Sequence, residues 1–132
     1  MAKERTYTNE ADVKAQVKKL LNLHNWFWWM PPANGFGRSG ISDFNALRDG
    51  VFLAIETKFG KNKPTAMQIG FLNSVQSESA LAFIVNERNL GVFATWLQHF
   101  DNAVKAQSEE RNVDPADGAA MLDAMKVLTE GM

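Results

Sequence analysis

The stretch Ile41-Ser42-Asp43-Phe44-Asn45-Ala46-Leu47-Arg48-Asp49-Gly50-Val51-Phe52-Leu53-Ala54-Ile55-Glu56-Thr57-Lys58 decides the fold. Residues 41–47 and 51–58 read as two strands around Arg48-Asp49-Gly50, and Asp-Gly is a strong two-residue hairpin signal. With Asp49 and Gly50 as the loop, Arg48 pairs with Val51 and every paired couple sums to 99. Phe44 then faces Ile55 and Ala46 faces Leu53. One face is apolar throughout, so the register is supported by its own hydrophobic match. Residues 51–55 are apolar without interruption, as in an interior strand with both faces covered.

The elements on either side extend this hairpin into a mixed domain. Asn9 can cap a helix over residues 9–24, with Glu10 and Asp12 at the positive end of its dipole. Val13, Val17, Leu20 and Leu21 follow at helical spacing. Trp26-Phe27-Trp28-Trp29-Met30, closed by Pro31-Pro32, reads as an aromatic strand. Residues 33–40 hold three glycines and read as a loop. After the hairpin, residues 59–64 form a basic loop. Thr65 then starts a helix to which Met67, Ile69, Phe71, Leu72 and Val75 supply apolar contacts. Residues 80–85 read as a short strand and residues 90–106 as a helix with Phe93, Trp96, Leu97, Phe100 and Val104 at helical spacing. Asp114-Pro115 opens a last helix to about residue 129. Helix, three strands, helix, strand and two helices make an α/β domain around one sheet.

Composition narrows the function. The chain has 132 residues, enough for one domain with a single core. It contains no cysteine, which excludes disulfides, thiolate metal sites and a cysteine nucleophile. Two histidines, His24 and His99, make a multi-histidine zinc site a poor expectation, and both read as structural or surface groups. The charged start MAKERTYTNEADVK is followed by no apolar run, and no stretch reaches a membrane-spanning length. The expected compartment is the cytoplasm, with no membrane partner.

The hairpin register that pairs Phe44 with Ile55 also sets Asp43 opposite Glu56. Directly opposed like charges destabilise a strand pair, and a divalent cation on oxygen ligands is a natural remedy. Lys58, two residues beyond Glu56, points to the same face. It can neutralise a carboxylate, orient a water or stabilise charge on a phosphate. The plainer reading is a solvated ion-pair cluster. Against it, three charged groups at the end of a buried strand are expensive unless they serve a function.

Gly40-Ile41-Ser42-Asp43-Phe44, then Ile55-Glu56-Thr57-Lys58, then Gln68, resemble the VRR-NUC nucleases. These form a branch of the PD-(D/E)XK superfamily found in phages, bacteria and eukaryotic repair proteins. Their pattern is a glutamate early in the first helix, a Gly-x-x-Asp, a Glu-x-Lys on the next strand and a glutamine in the following helix. Glu10, Asp43, Glu56 with Lys58, and Gln68 match in that order, over residues 9–87. Ser42 departs from the proline frequent at its position. Residues 90–130, a C-terminal helical extension, lie outside the resemblance.

The resemblance implies a PD-(D/E)XK restriction-endonuclease-like core and a Mg²⁺- or Mn²⁺-dependent endonuclease acting on DNA. Glu10, Asp43 and Glu56 would bind metal, with the Thr57 backbone carbonyl as a further ligand. Lys58 would position or activate the attacking water, and Gln68 would orient Lys58 or the water. A hard cation on carboxylate and carbonyl oxygens suits Mg²⁺ or Mn²⁺ better than zinc. Small stand-alone members, phage-encoded ones among them, imply a homodimer that cuts branched DNA such as four-way junctions. The aromatic strand and the apolar C-terminal helix are both available as its interface.

Each residue also has a plainer reading. Glu10 reads equally as a helix N-terminal acid, with Glu4 and Asp12 as weaker substitutes in the metal role. Gln68 reads equally as an exposed helix residue. Asn34, Arg38 and Ser39 touch phosphates or belong to a plain loop. Lys61 and Lys63 hold the DNA backbone or are simply solvated. Trp26, Trp28 and Trp29 favour core or interface over base stacking. Two rival functions stand beside the nuclease: another PD-(D/E)XK activity, restriction-like or a different resolvase branch, and a non-catalytic DNA-binding module.

The formal net charge of −1 conceals an uneven distribution. Residues 1–100 carry 11 Lys+Arg and 8 Asp+Glu, a balance of +3, while residues 101–132 carry 3 and 7, a balance of −4. A basic body with an acidic tail is compatible with a nucleic-acid partner for the body.

Overall fold

The computed structural model of the chain describes residues 6–32 and 41–111, with side chains described to residue 108. The expectations at Glu4, Asn34, Arg38, Ser39, Gly40 and the helix over residues 114–129 lie outside those residues. The hairpin forms in the register that its sequence dictates, but its first strand runs from Phe44 to Arg48 rather than over residues 41–47. Strand β2 (Phe44–Arg48) pairs antiparallel with β3 (Val51–Thr57), with Phe44 opposite Ile55, Ala46 opposite Leu53 and Arg48 opposite Val51. Asp49 and Gly50 have φ of +49° and +79°, the pair of left-handed residues that a type I′ turn requires. Glycine takes such a φ without steric cost, and aspartate is among the few other residues that tolerate it.

Helix α1 (Glu10–Leu23) starts where Asn9 Oδ1 accepts the Asp12 N–H at 3.0 Å. Asp12 returns the favour by accepting from the Thr8 N–H and hydroxyl at 2.7 and 2.8 Å. Val13, Val17 and Leu21, spaced by four, are fully buried. The helix ends in a Schellman motif: Asn25 sits at φ +62°, its N–H donates to the Asn22 carbonyl, and the Trp26 N–H donates to that of Leu21 at 2.9 Å. That sharp exit launches β1 (Phe27–Trp29), shorter than the expected strand because Trp26 still belongs to the helix cap. β1 pairs antiparallel with β2, Trp28 opposite Ala46.

Helix α2 (Ala66–Ser77) starts in a capping box between Thr65 and Gln68. It ends as α1 does, with Ser79 at φ +64° and the Ala80 N–H donating to the Val75 carbonyl. Strand β4 (Leu81–Val85) then runs parallel to β3, Ile55 beside Phe83. The sheet order is β1-β2-β3-β4, a mixed four-stranded sheet. Helix α3 (Leu90–Arg111) is longer than expected. The compact unit carrying the sheet comprises Met1–His99, and the rest of α3 belongs to the second unit.

Alternation along the strands gives the sheet two different faces. Trp28, Phe44, Ala46, Leu53, Ile55 and Phe83 share one face. Trp28 meets the Phe44 ring at 5.7 Å, and Phe83 meets Phe93 and Trp96 of α3 at 6.0 and 5.0 Å. Phe27, Trp29, Asn45, Leu47, Phe52, Ala54 and Glu56 share the other. α2 covers the Glu56 end of that face, where Leu72 is buried. At its β1 end Phe27, Trp29 and Leu47 stay exposed.

One expectation about α2 is corrected. Met67 and Ile69 are not core contacts: they are 59% and 44% exposed. The capping box fixes the helix phase so that Gln68, Leu72 and Val75, at i, i+4 and i+7, face the sheet, which turns Met67 and Ile69 away. Among the described residues, no helix is long and apolar enough to cross a membrane.

Candidate active site

The β2–β3 ladder stops at Phe44–Ile55, one step short of Asp43 and Glu56. The two carboxylates do not meet as a bare pair. The Asp43 backbone N–H donates to Glu56 Oε2 at 3.3 Å. Asp43 Oδ2 accepts both from the Thr57 N–H at 2.9 Å and from the Thr57 hydroxyl at 2.6 Å. The repulsion expected from the register is thus met first by protein donors.

Glu56 is 1% exposed at the buried end of an interior strand. Its Oε1 accepts from Gln68 Nε2 at 2.7 Å and lies 3.5 Å from the Lys58 ammonium. Burial, and then the Asp43 charge, push its carboxyl from the ordinary 4.5 up to about 7, with Lys58 pulling the other way. Near neutral pH this carboxyl is poised between its two protonation states.

Gln68 is held at both ends of its amide. Oε1 accepts the Thr65 N–H at 2.8 Å, which leaves Nε2 to donate to Glu56. Its partner among the described residues is Glu56, while the family resemblance implies that it orients Lys58 or the water. Lys58 follows β3 directly; its N–H donates to the Val85 carbonyl at 2.9 Å, anchoring it to β4, and its side chain is 15% exposed.

Glu10 sits in the first turn of α1, and the Lys14 ammonium lies 3.5 Å from Glu10 Oε2 and 3.8 Å from Asp43 Oδ1. Glu10 therefore joins the site through a lysine. Asp12, the weaker substitute for Glu10, is engaged by Thr8 in the α1 cap. Ser42, where the resembled family often has proline, is buried and donates its hydroxyl to Asn45 Oδ1 at 2.8 Å, fixing the entry to β2.

Lys61 and Lys63 are exposed on the loop after Lys58. That loop is clamped at Gly60, whose φ is +64°. The Gly60 N–H donates to both Glu87 carboxylate oxygens at 3.1 and 3.2 Å, and Arg88 donates to the Gly60 carbonyl at 2.9 Å. His24 is buried and His99 exposed. Trp26 is buried, whereas Trp29 is 38% exposed.

Asp43, Glu56, Thr57, Lys58 and Gln68 thus converge on one end of the sheet. Sequence reading missed three participants. Lys14 was signalled only by its i, i+4 spacing from Glu10. The Thr57 side chain was hidden behind its role as a backbone ligand. The Glu87–Arg88 clamp is distant in sequence from the loop it holds.

Asp43 and Glu56 fit a hard divalent ion in donor chemistry: two carboxylates at adjoining strand ends, one of them pushed up to about 7 by burial and by the charge of the other. Among the described residues, no three His, Asp or Glu side chains are gathered closely enough to hold a metal ion; the Lys14 ammonium lies 3.5 Å from Glu10 and 3.8 Å from Asp43. No protein-family model and no curated protein sequence matches the chain.

Proposed function

We propose that the chain is a Mg²⁺- or Mn²⁺-dependent endodeoxyribonuclease of the VRR-NUC type that hydrolyses phosphodiester bonds in branched DNA such as four-way junctions. The observation that carries this reading is the convergence of Asp43, Glu56, Lys58 and Gln68 at one sheet end. A PD-(D/E)XK core is supported by the succession α1, the β1–β2–β3 meander, α2 and a parallel β4.

Asp43 and Glu56, with the Thr57 carbonyl and Glu10, are the groups that would hold the ion. Such an ion, when bound, polarises the phosphate and makes its water more acidic. Thr57 orients Asp43 with two donors, and Gln68 orients Glu56, so both carboxylates are fixed before substrate arrives. Lys58, packed against Glu56 and tied to β4, can orient the attacking water or stabilise negative charge growing on the phosphate. Lys61 and Lys63, exposed on the loop after Lys58, are the groups that would hold a DNA backbone. Asn34, Arg38 and Ser39 are assigned to phosphate contacts by the sequence pattern alone.

The reading includes a homodimer in a phage-infected host cytoplasm. The exposed Phe27 and Trp29 on the edge strand β1 favour that strand as its interface.

A non-catalytic DNA-binding module is the second reading. The engagement of both carboxylates by protein donors favours it, since those donors answer the carboxylates without an ion. Cleavage assays on junction, flap and linear duplex DNA, with Mg²⁺, Mn²⁺ or EDTA, separate the readings. Divalent-dependent cutting lost in Lys58→Ala supports the nuclease; restriction-like cutting of linear duplex assigns another branch; binding without cutting supports the module.

A further inference from the structure

Lys14 has no place in the motif, yet its ammonium touches carboxylates from two separate elements. Glu10 belongs to α1 and lies 3.5 Å away; Asp43 precedes β2 and lies 3.8 Å away. Val13 and Val17, both fully buried, lock the phase of α1 and so fix where the Lys14 stem leaves the helix. The two distances are longer than the 2.7–2.9 Å or so of a tight charge-assisted hydrogen bond. The ammonium is shared loosely rather than locked, and its side chain is 30% exposed, which leaves it a route to solvent.

The oxygens of Asp43 divide the work. Oδ2 is committed to the two Thr57 donors, so Oδ1 is the oxygen that faces Lys14. An ammonium has donors only and no lone pair, so it cannot share that oxygen's neighbourhood with a divalent cation without repulsion. The Glu56 side has its own cation, Lys58, and does not need Lys14.

We propose that Lys14 is a tethered counter-ion that occupies the cation position between Glu10 and Asp43, withdraws when a divalent ion binds, and so sets how much metal the site demands. The proposal rests on the metal-site reading above. It makes Lys14 a positioning residue: it holds Glu10 and Asp43 in place without metal and competes with the ion for them.

The test is a Mn²⁺ titration at low ionic strength, read by the electron paramagnetic resonance of free Mn²⁺. It uses the full chain as wild type, Lys14→Gln, Lys14→Met, Lys14→Arg and Asp43→Asn. Removing the charge is expected to tighten Mn²⁺ binding about tenfold, a size typical of coupled sites. Lys14→Arg keeps the charge and is expected to bind as the wild type does. Without metal, the two uncharged variants are expected to melt lower than the wild type, and Mn²⁺ to raise their Tm by more. Unchanged or weaker Mn²⁺ binding in both uncharged variants overturns the proposal while leaving the metal site intact, as does equal tightening in Lys14→Arg. Wild type that binds no Mn²⁺, or binds it no better than Asp43→Asn, overturns the metal-site reading and the proposal together.

Discussion

Glu56 is the residue on which the chemistry and the stability of this site meet. Its carboxyl is raised in the folded chain from 4.5 to about 7 by burial and by Asp43. The folded state therefore holds a proton that the unfolded state has already released. Stability from this group is complete below about pH 4.5 and is lost as pH rises through 7. Ionising it costs about 3 kcal/mol of stability in the absence of metal. Denaturant melts in EDTA should show the wild type losing about that much relative to Glu56→Gln between pH 4 and pH 8. Thr57 is the complementary case. Thr57→Val keeps the shape but removes the 2.6 Å hydroxyl bond to Asp43. The same melts should show a cost of about 2 kcal/mol, that of a hydrogen bond lost from a charged, part-buried acceptor. Asp43, Glu56 and Lys58 could be read from the sequence because a two-residue turn fixes every pair in the hairpin. The Thr57 hydroxyl and Lys14 could not, because strand register places backbones and leaves open which donors answer a carboxylate.

At the scale of elements, the hairpin was legible from Asp49-Gly50 and the apolar match, and both strands pair in the expected register. Helix α2 was legible in position but not in phase. Its apolar residues Met67 and Ile69 invite burial, yet a polar residue, Gln68, takes the inward position because it both caps the helix and reaches Glu56. Gln68→Ala should therefore cost about 1–2 kcal/mol in a thermal or denaturant melt, more than an exposed helix residue would. Both α1 and α2 turn into the next strand through a left-handed residue that is not glycine, Asn25 and Ser79. Ser79→Gly should stabilise the chain by about 0.5–1 kcal/mol, since glycine adopts that φ without the Cβ penalty. A loss of stability in that variant would mean the Ser79 side chain contributes more than its backbone strain costs.

For the whole molecule, a −1 net charge looks unsuited to DNA until the distribution is considered, with +3 over residues 1–100 and −4 over residues 101–132. The α/β order around one sheet was legible because each element carries its own periodicity and punctuation, whereas the parallel pairing of β4 with β3 was not. The two-faced sheet was legible only in part. Which face stays open at β1, exposing Phe27 and Trp29, depends on where α2 packs, and no local pattern encodes that. The central claim is that the Asp43–Glu56–Lys58 end of the sheet cuts DNA with a divalent ion. Its most direct test is cleavage of a four-way junction by the wild type in Mn²⁺ and in EDTA, beside Asp43→Asn and Lys58→Ala. The account predicts cutting by the wild type in Mn²⁺, none in EDTA, and a loss of at least about 100-fold in each variant. Cutting that persists in EDTA and in both variants, or a wild type that binds the junction and leaves it intact in Mn²⁺, would contradict it.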